Sequence, residues 1–297
     1  MVDDRDFWIL SQIRKHPFSS YETLGRGIGL SGKSVKARIE AMEKGKILTS
    51  LQAMPAAQVF RRLPRLYLFK EPASSAEKLN AAIGIDSAVF ATMDSSRNVV
   101  VLVYDSSLPP RPPEKLVALL GPIDFEVTPL FPHPGRELAK PVSLAELKVL
   151  RMLVMNLRAP LKGISQSTGL SQKVARKTRK QLLDRGLFQV QPIFQSARSS
   201  RILLYELHVH SKDNSVLSRL KESLPKSVFL NQWEHTAMIF SCWADSIAEV
   251  FEAERRLKSE PSVSGVRVKF HTRAILASSR LMSWIDEEIL RLQRQSD

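Results

Sequence analysis

The amino-acid sequence predicts an α+β fold in which two winged helix-turn-helix domains alternate with two ferredoxin-like (βαββαβ) domains. Three observations carry that prediction. The chain repeats itself at a shift of 140 residues: Phe7, Leu10 and Ile13 fall on Leu147, Leu150 and Leu153, Leu24 falls on Ile164, and Gly29-Leu30-Ser31 falls on Gly169-Leu170-Ser171. Each copy reads helix, helix, tight turn, helix, and ends at a glycine, Gly45 or Gly186, that leads into a short apolar-polar strand. Beyond that strand the hydrophobic period changes from 3.6 to 2, and the elements run β-α-β-β-α-β, the split βαβ arrangement.

In the first helical module Gly25 stands where the second helix must approach the third closely, and the second copy has the equally small Ser165 there. Gly29 and Gly169 can take the positive φ that ends one helix and turns sharply into the next. Leu30 and Leu170 fill the angle between the helices, and Ser31 and Ser171 are the expected N-caps of the third helices. Ile47 to Ala53 and Leu187 to Phe194 are the expected wings.

The first ferredoxin-like half reads as strands at Arg65 to Phe69, Asp86 to Met93, Val99 to Tyr104 and Phe125 to Phe131, with helices at Ser74 to Ile83 and Pro113 to Leu120. The second has strands at Arg201 to Val209, Ser227 to Trp233, Ala237 to Trp243 and Val263 to His271, with helices at Asn214 to Leu224 and Ala244 to Leu257. A last helix, Ser279 to Gln293, carries Leu281, Trp284, Ile285, Ile289 and Leu292 on one side and is a candidate oligomerisation element. The expected divisions are 1–60, 61–131, a linker at 132–142, 143–198, 199–274 and the C-terminal helix at 275–297. The two sheets are expected to cover each other's apolar faces within one chain, as an internal pseudo-dimer, with homodimerisation left open.

The 297 residues are 43% apolar, enough for several cored domains. No apolar run approaches the roughly 18 residues a membrane span needs, and the N-terminus lacks a signal-peptide core, so the expected location is the cytoplasm, with no membrane partner. The single cysteine, Cys242, can form no intrachain disulfide, and no His and acid accompany it at a catalytic spacing. The sequence has no phosphate-binding glycine loop, no metal-binding cysteine pairs and no hydrolase elbow. His208-x-His210 lies on one face of a strand and reads as a surface or structural pair, because a metal site needs three or more ligands. These observations predict a chain that is not an enzyme and that holds neither metal nor cofactor.

The net charge of +14 implies a polyanionic partner. Residues 141–200 hold five Lys and six Arg against Glu146 and Asp184, a net of +9, whereas residues 1–60 carry only +3. On a helical wheel Ser171, Ala175, Thr178 and Leu182 share one face of the third helix of copy two, and Lys173, Arg176, Lys177 and Lys180 share the opposite one. In copy one Val35, Ile39 and Met42 face inward, while Lys33, Lys36 and Lys44 point outward together with Glu40. Double-stranded DNA is the expected partner, with base readout from Gln172, Lys173, Arg176 and Lys177, and from Lys33, Ser34 and Lys36 in copy one; the remaining cations, Lys44 and Lys180 among them, bind phosphate.

A helical module with Gly-Leu-Ser before its third helix and a closing glycine, followed by β-α-β-β-α-β, resembles the Lrp/AsnC (feast/famine) family of transcription regulators, here as a tandem fusion. Asp6, Ile9-Leu10, Leu24, Gly29-Leu30-Ser31, Val35, Arg38-Ile39, Met42 and Gly45 fit the family's pattern. The resemblance implies a sequence-specific regulator with two DNA half-sites and a candidate small-molecule effector. Copy one is one residue shorter between Ser31 and Gly45 than the pattern, and the family's effector loops have no clear counterpart. The same resemblance has an enzymatic branch, the siroheme decarboxylases, which would hold a tetrapyrrole with His and Arg; under that reading His271 with Arg273, and His133 with Arg136, are the residues to examine. A third reading turns one winged helix into a protein-binding surface.

Overall fold

A computed structural model describes residues 3–45, 47–70, 76–106, 111–127, 140–194, 202–213, 215–216, 219–220, 224, 226–233 and 237–295. The first helical module comprises α1 (Asp4–Lys15), α2 (Tyr21–Arg26) and α3 (Gly32–Lys44), and leads into β1 (Leu48–Pro55). Asp3 caps α1: its side chain accepts from the helix while Asp6 reaches back to the Asp3 N–H, a reciprocal capping box. Phe7, Leu10 and Ile13 are fully buried against Leu24, Val35, Ile39 and Met42.

The turn chemistry follows the expected spacing. Gly29 has φ +64 and Gly169 φ +73, and the Ser31 and Ser171 hydroxyls accept from the Ser34 and Val174 N–H groups. A Cβ added at Gly25 would collide with the Leu30 carbonyl oxygen, whereas Ser165 in the other module donates its hydroxyl to the matching Leu170 carbonyl at 2.6 Å. The one-residue difference between the copies is taken up at the end of the third helix. Gly45 closes α3 in an ordinary helical conformation, φ −71, but Gly186 has φ +62.

The second module has α6 (Leu144–Met155), α7 (Leu161–Thr168) and α8 (Gln172–Asp184), then β6 (Phe188–Phe194). β1 and β6 do not each fold back as a wing on their own module. They pair antiparallel with one another, Ala53 opposite Val190, in a two-stranded ribbon shared by both modules. The edge groups of one strand are satisfied by the other, which a single module could not do. Arg158 adds a second tie: its guanidinium donates to the Pro17 and Ser19 carbonyls and lies 4.3 Å from the Tyr21 ring.

The first ferredoxin-like half contains β2 (Leu63–Phe69), α4 (Ala76–Gly84), β3 (Ala88–Asp94), β4 (Val99–Asp105), α5 (Glu114–Leu120) and β5 (Ile123–Val127). The second contains β7 (Leu203–Ser211), β8 (Ser227–Trp233), β9 (Ala237–Ala244), α9 (Ile247–Lys258) and β10 (Val263–Lys269). The sheet orders are β3-β4-β2-β5 and β8-β9-β7-β10, the same order in both halves. The expected strand ending at His271 is in fact two: β10 ends at Lys269, and β11 (His271–Leu276) crosses to pair with β3, making the first sheet five-stranded. The expected strand to Phe131, the linker and the helix at 214–224 lie wholly or partly outside the described residues, as do His133 and Arg136.

The helix-bearing faces hold separate cores, Tyr67, Phe69, Val101 and Leu79 in one half, Tyr205, Leu207, Phe240 and Val250 in the other. The opposite faces contribute Leu66, Leu102 and Tyr104 from one sheet and Trp243 from the other to the large core under the helical modules. The terminal helix α10 (Ser278–Arg294) lies in that core too. Leu281, Trp284 and Ile285 are buried, Trp284 stacks on Tyr104 at 6.4 Å, and Arg151 of α6 binds Asp286 at 2.6 Å. The apolar side expected to oligomerise is therefore largely covered within the chain itself.

Candidate functional site

Two surfaces concentrate the chemistry. The first is α8, whose amphipathic pattern buries Ala175, Thr178 and Leu182. Gln172, Lys173, Arg176, Lys177 and Lys180 are all exposed on it, and Lys180 lies 3.8 Å from Asp184, a surface pair of little strength. Arg179, between these faces, stacks over Phe18 at 4.2 Å, and burial together with Arg158 and Arg176 lowers its pKa.

The matching helix α3 differs. Lys33, Lys36 and Lys44 are exposed, but Lys36 is paired with Glu40 at 3.5 Å and the Ser34 hydroxyl is 3.0 Å from that of Ser31. Glu22 sits over the amino end of α3, where its carboxylate accepts from the Gly32 N–H at 2.6 Å. The residue 140 positions later is the exposed Lys162.

The second surface is a cavity of about 230 Å³ between the sheets, lined by Leu68, Lys70, Asp124, His208, His210, Arg267 and Lys269. Strand alternation builds it. Tyr205, Leu207 and Val209 point to the helices, so Glu206, His208 and His210 point the other way, toward the first sheet. Pairing with β10 sets Arg267 opposite His208 and Lys269 opposite Glu206. His208 Nε2 lies 3.0 Å from the Glu206 carboxylate, which also accepts from the Ser241 hydroxyl at 3.2 Å. Lys70 binds Asp124 at 2.7 Å on the facing sheet. Burial lowers the Lys269 pKa against the opposing pull of Asp94, Glu206 and Asp124.

Strand alternation puts His208 and His210 on one face, and in the structure this face looks into a cavity. Arg267-x-Lys269, at the same alternate spacing on the neighbouring strand, was the available signal. Arg273 is elsewhere, 3.3 Å from Asn80 beside α4.

Fold and surfaces together define a chain of paired helix-turn-helix and ferredoxin-like units with a cationic helix and a histidine-bearing cleft. No family model matches the sequence, and no curated protein matches it. Among solved structures it is similar to the siroheme decarboxylase NirDL, at 14% identity and a TM-score of 0.49, over 98% of this chain and 100% of that one. A complex of NirDL with an iron-uroporphyrin III analogue gives 13% identity, the same TM-score and the same coverage. An AsnC-family regulator from Pyrococcus furiosus is 16% identical with a TM-score of 0.29, over 47% of this chain and 95% of that one. The expectation that the chain is not an enzyme is corrected by this comparison: the two NirDL structures, matched over 98% of the chain, are those of an enzyme, and the AsnC-family regulators from Pyrococcus furiosus and E. coli match less than half of it.

Proposed function

We propose that the chain binds a carboxylate-bearing metallated tetrapyrrole in the cleft between its two sheets and decarboxylates it. What supports the reading is one observation, the convergence of His208, His210, Arg267, Lys269 and Lys70 beside the apolar Leu68 in a single cavity. Imidazoles suit a ring-bound metal, guanidinium and ammonium groups suit peripheral carboxylates, and an apolar wall suits the macrocycle's face. The ring is larger than 230 Å³, so part of it projects beyond the cavity. Decarboxylation breaks a carbon–carbon bond, releases carbon dioxide and places a proton on the carbon left behind; His208, held by Glu206, and Lys269 are the groups that can supply it.

Anaerobic addition of siroheme to the purified chain tests this. The expected result is a shifted Soret band and carbon dioxide release, both lost on replacing His208 and His210 by Ala. An unchanged spectrum with no carbon dioxide would overturn the reading.

A second reading, double-stranded DNA binding by the second helical module, is favoured by the exposed cations of α8 and can coexist with the first. In it Arg176, Lys177 and Lys173 reach base edges with Gln172, Lys180 neutralises phosphate, and the α3 set of Lys33, Ser34, Lys36 and Lys44 contributes little. The two halves would act as an internal pseudo-dimer with one dominant DNA-reading helix.

A further inference from the structure

We propose that Val174 of α8 selects thymine in the half-site read by the second helical module, by closing on the base's C5-methyl group in the major groove; this rests on the DNA reading above. Val174 is 42% exposed and is the only exposed apolar residue of α8, whose other exposed side chains are polar or charged. A solvated valine among cations contributes nothing to the core of its own module, which takes Ala175, Thr178 and Leu182 from this helix.

The local fold sets where this side chain stands. The Val174 N–H donates to the Ser171 hydroxyl at 3.3 Å, which places Val174 in the first turn of α8, the end of a recognition helix that meets base edges. One turn on is Lys177, so Val174 lies at the border of the cationic face. A β-branched side chain in a helix holds essentially one rotamer, and docking it against a base costs little conformational freedom.

The chemistry of the duplex names the target. Lys173, Arg176 and Lys177 are satisfied by phosphate oxygens or by the acceptors of guanine, but an apolar branch is not. The major groove offers one methyl group, that of thymine, beside the donors and acceptors of the other bases. The first module lacks the device: Ser34 stands at the corresponding position of α3, with its hydroxyl 3.0 Å from that of Ser31. The thymine preference therefore belongs to one half-site and not to the other.

Selection of duplexes by the full chain from a random library, followed by replacement of each thymine of the selected site with deoxyuridine, tests the proposal. Deoxyuridine keeps the base pairing and removes only the methyl. At one thymine the unmodified chain should lose about threefold to fivefold in affinity, the worth of one buried methyl. Val174→Ala should bind the thymine duplex more weakly by a similar factor and be indifferent to the replacement at that position, whereas Val174→Ile should keep the discrimination, both with unchanged circular dichroism. A chain that selects a duplex but tolerates deoxyuridine at every position, or a Val174→Ala variant that still discriminates at the same thymine, would overturn the proposal and leave DNA binding intact. Failure to select any duplex would remove the DNA reading itself, and the proposal with it.

Discussion

Glu22 accepts a hydrogen bond from the Gly32 N–H at 2.6 Å, placing a carboxylate over the amino end of α3, where the helix dipole favours an anion. α8 has no such acid, and Lys162 stands in the corresponding place.

Duplex affinity should therefore be unequally divided. Reversing Arg176 and Lys177 to Glu should weaken binding far more than reversing Lys33 and Lys36, and Glu22→Lys should strengthen the contribution of α3. Affinity should fall steeply with added salt as counterions are released. Fluorescence anisotropy on a labelled duplex checks all three, and a salt-insensitive curve would remove the DNA reading.

The turn glycines make a second prediction. A Cβ at Gly169 would meet nothing within 4 Å, so a cost at this position comes from backbone strain at φ +73. Gly169→Val should destabilise by about 1–3 kcal/mol and Gly169→Asn by much less, because Asn tolerates left-handed backbone. Urea denaturation of the two variants separates them.

The two capping boxes should respond oppositely to acid. Burial raises the Asp6 pKa; hydrogen bonds from the Asp3 N–H and Arg38 oppose this, and the neighbouring Asp3 carboxylate reinforces it. Burial also acts to raise Glu146, but hydrogen bonds from Ser143 and Arg185 outweigh it and hold Glu146 below the ordinary value. A carboxyl with a lowered folded pKa contributes stability above its unfolded pKa and loses it as the pH falls through the folded one; a raised pKa works in reverse. As the pH falls to the normal carboxylate range the Asp6 contribution to α1 should improve, and as it falls on below that range α6 should loosen. Hydrogen exchange of the two helices across that range reads the contrast, and parallel behaviour would contradict it.

Trp284 touches Phe60 at 5.3 Å and Tyr104 at 6.4 Å, with the Arg62 guanidinium 4.1 Å from its ring. Trp284→Ala should cost about 3–5 kcal/mol through the cavity left behind. Calorimetry of the variant should show a marked fall in Tm; a near-neutral result would mean that α10 docks without its aromatic anchor.

Local chemistry made the helical modules legible. A glycine that must have positive φ, a serine three residues before a free N–H and a leucine between helices leave few arrangements at Gly29-Leu30-Ser31 or its copy. Strand partners are non-local, so nothing in Leu48 to Pro55 announced that Val190 would lie opposite Ala53, or that β11 would leave its own half for β3. The cleft was half legible for the same reason. Alternation placed His208 with His210, but their neighbours on β10 and the residues facing them from β2 depend on register and sheet packing. The cluster that supports the proposed enzymatic reading, Arg267-x-Lys269 beside His208-x-His210, exists only once two strands are paired.

The shared ribbon also constrains the chain's birth. Ala53 leaves the ribosome 137 residues before Val190, an interval of roughly 7–27 s at translation rates of about 5–20 residues per second. For all that time the nascent first half offers a bare strand edge, open to the same strand of a neighbouring nascent chain on a crowded polysome. Neighbouring copies that exchange these strands would leave as intertwined pairs, so the abundance of entangled dimers should rise with the density of ribosomes on the message.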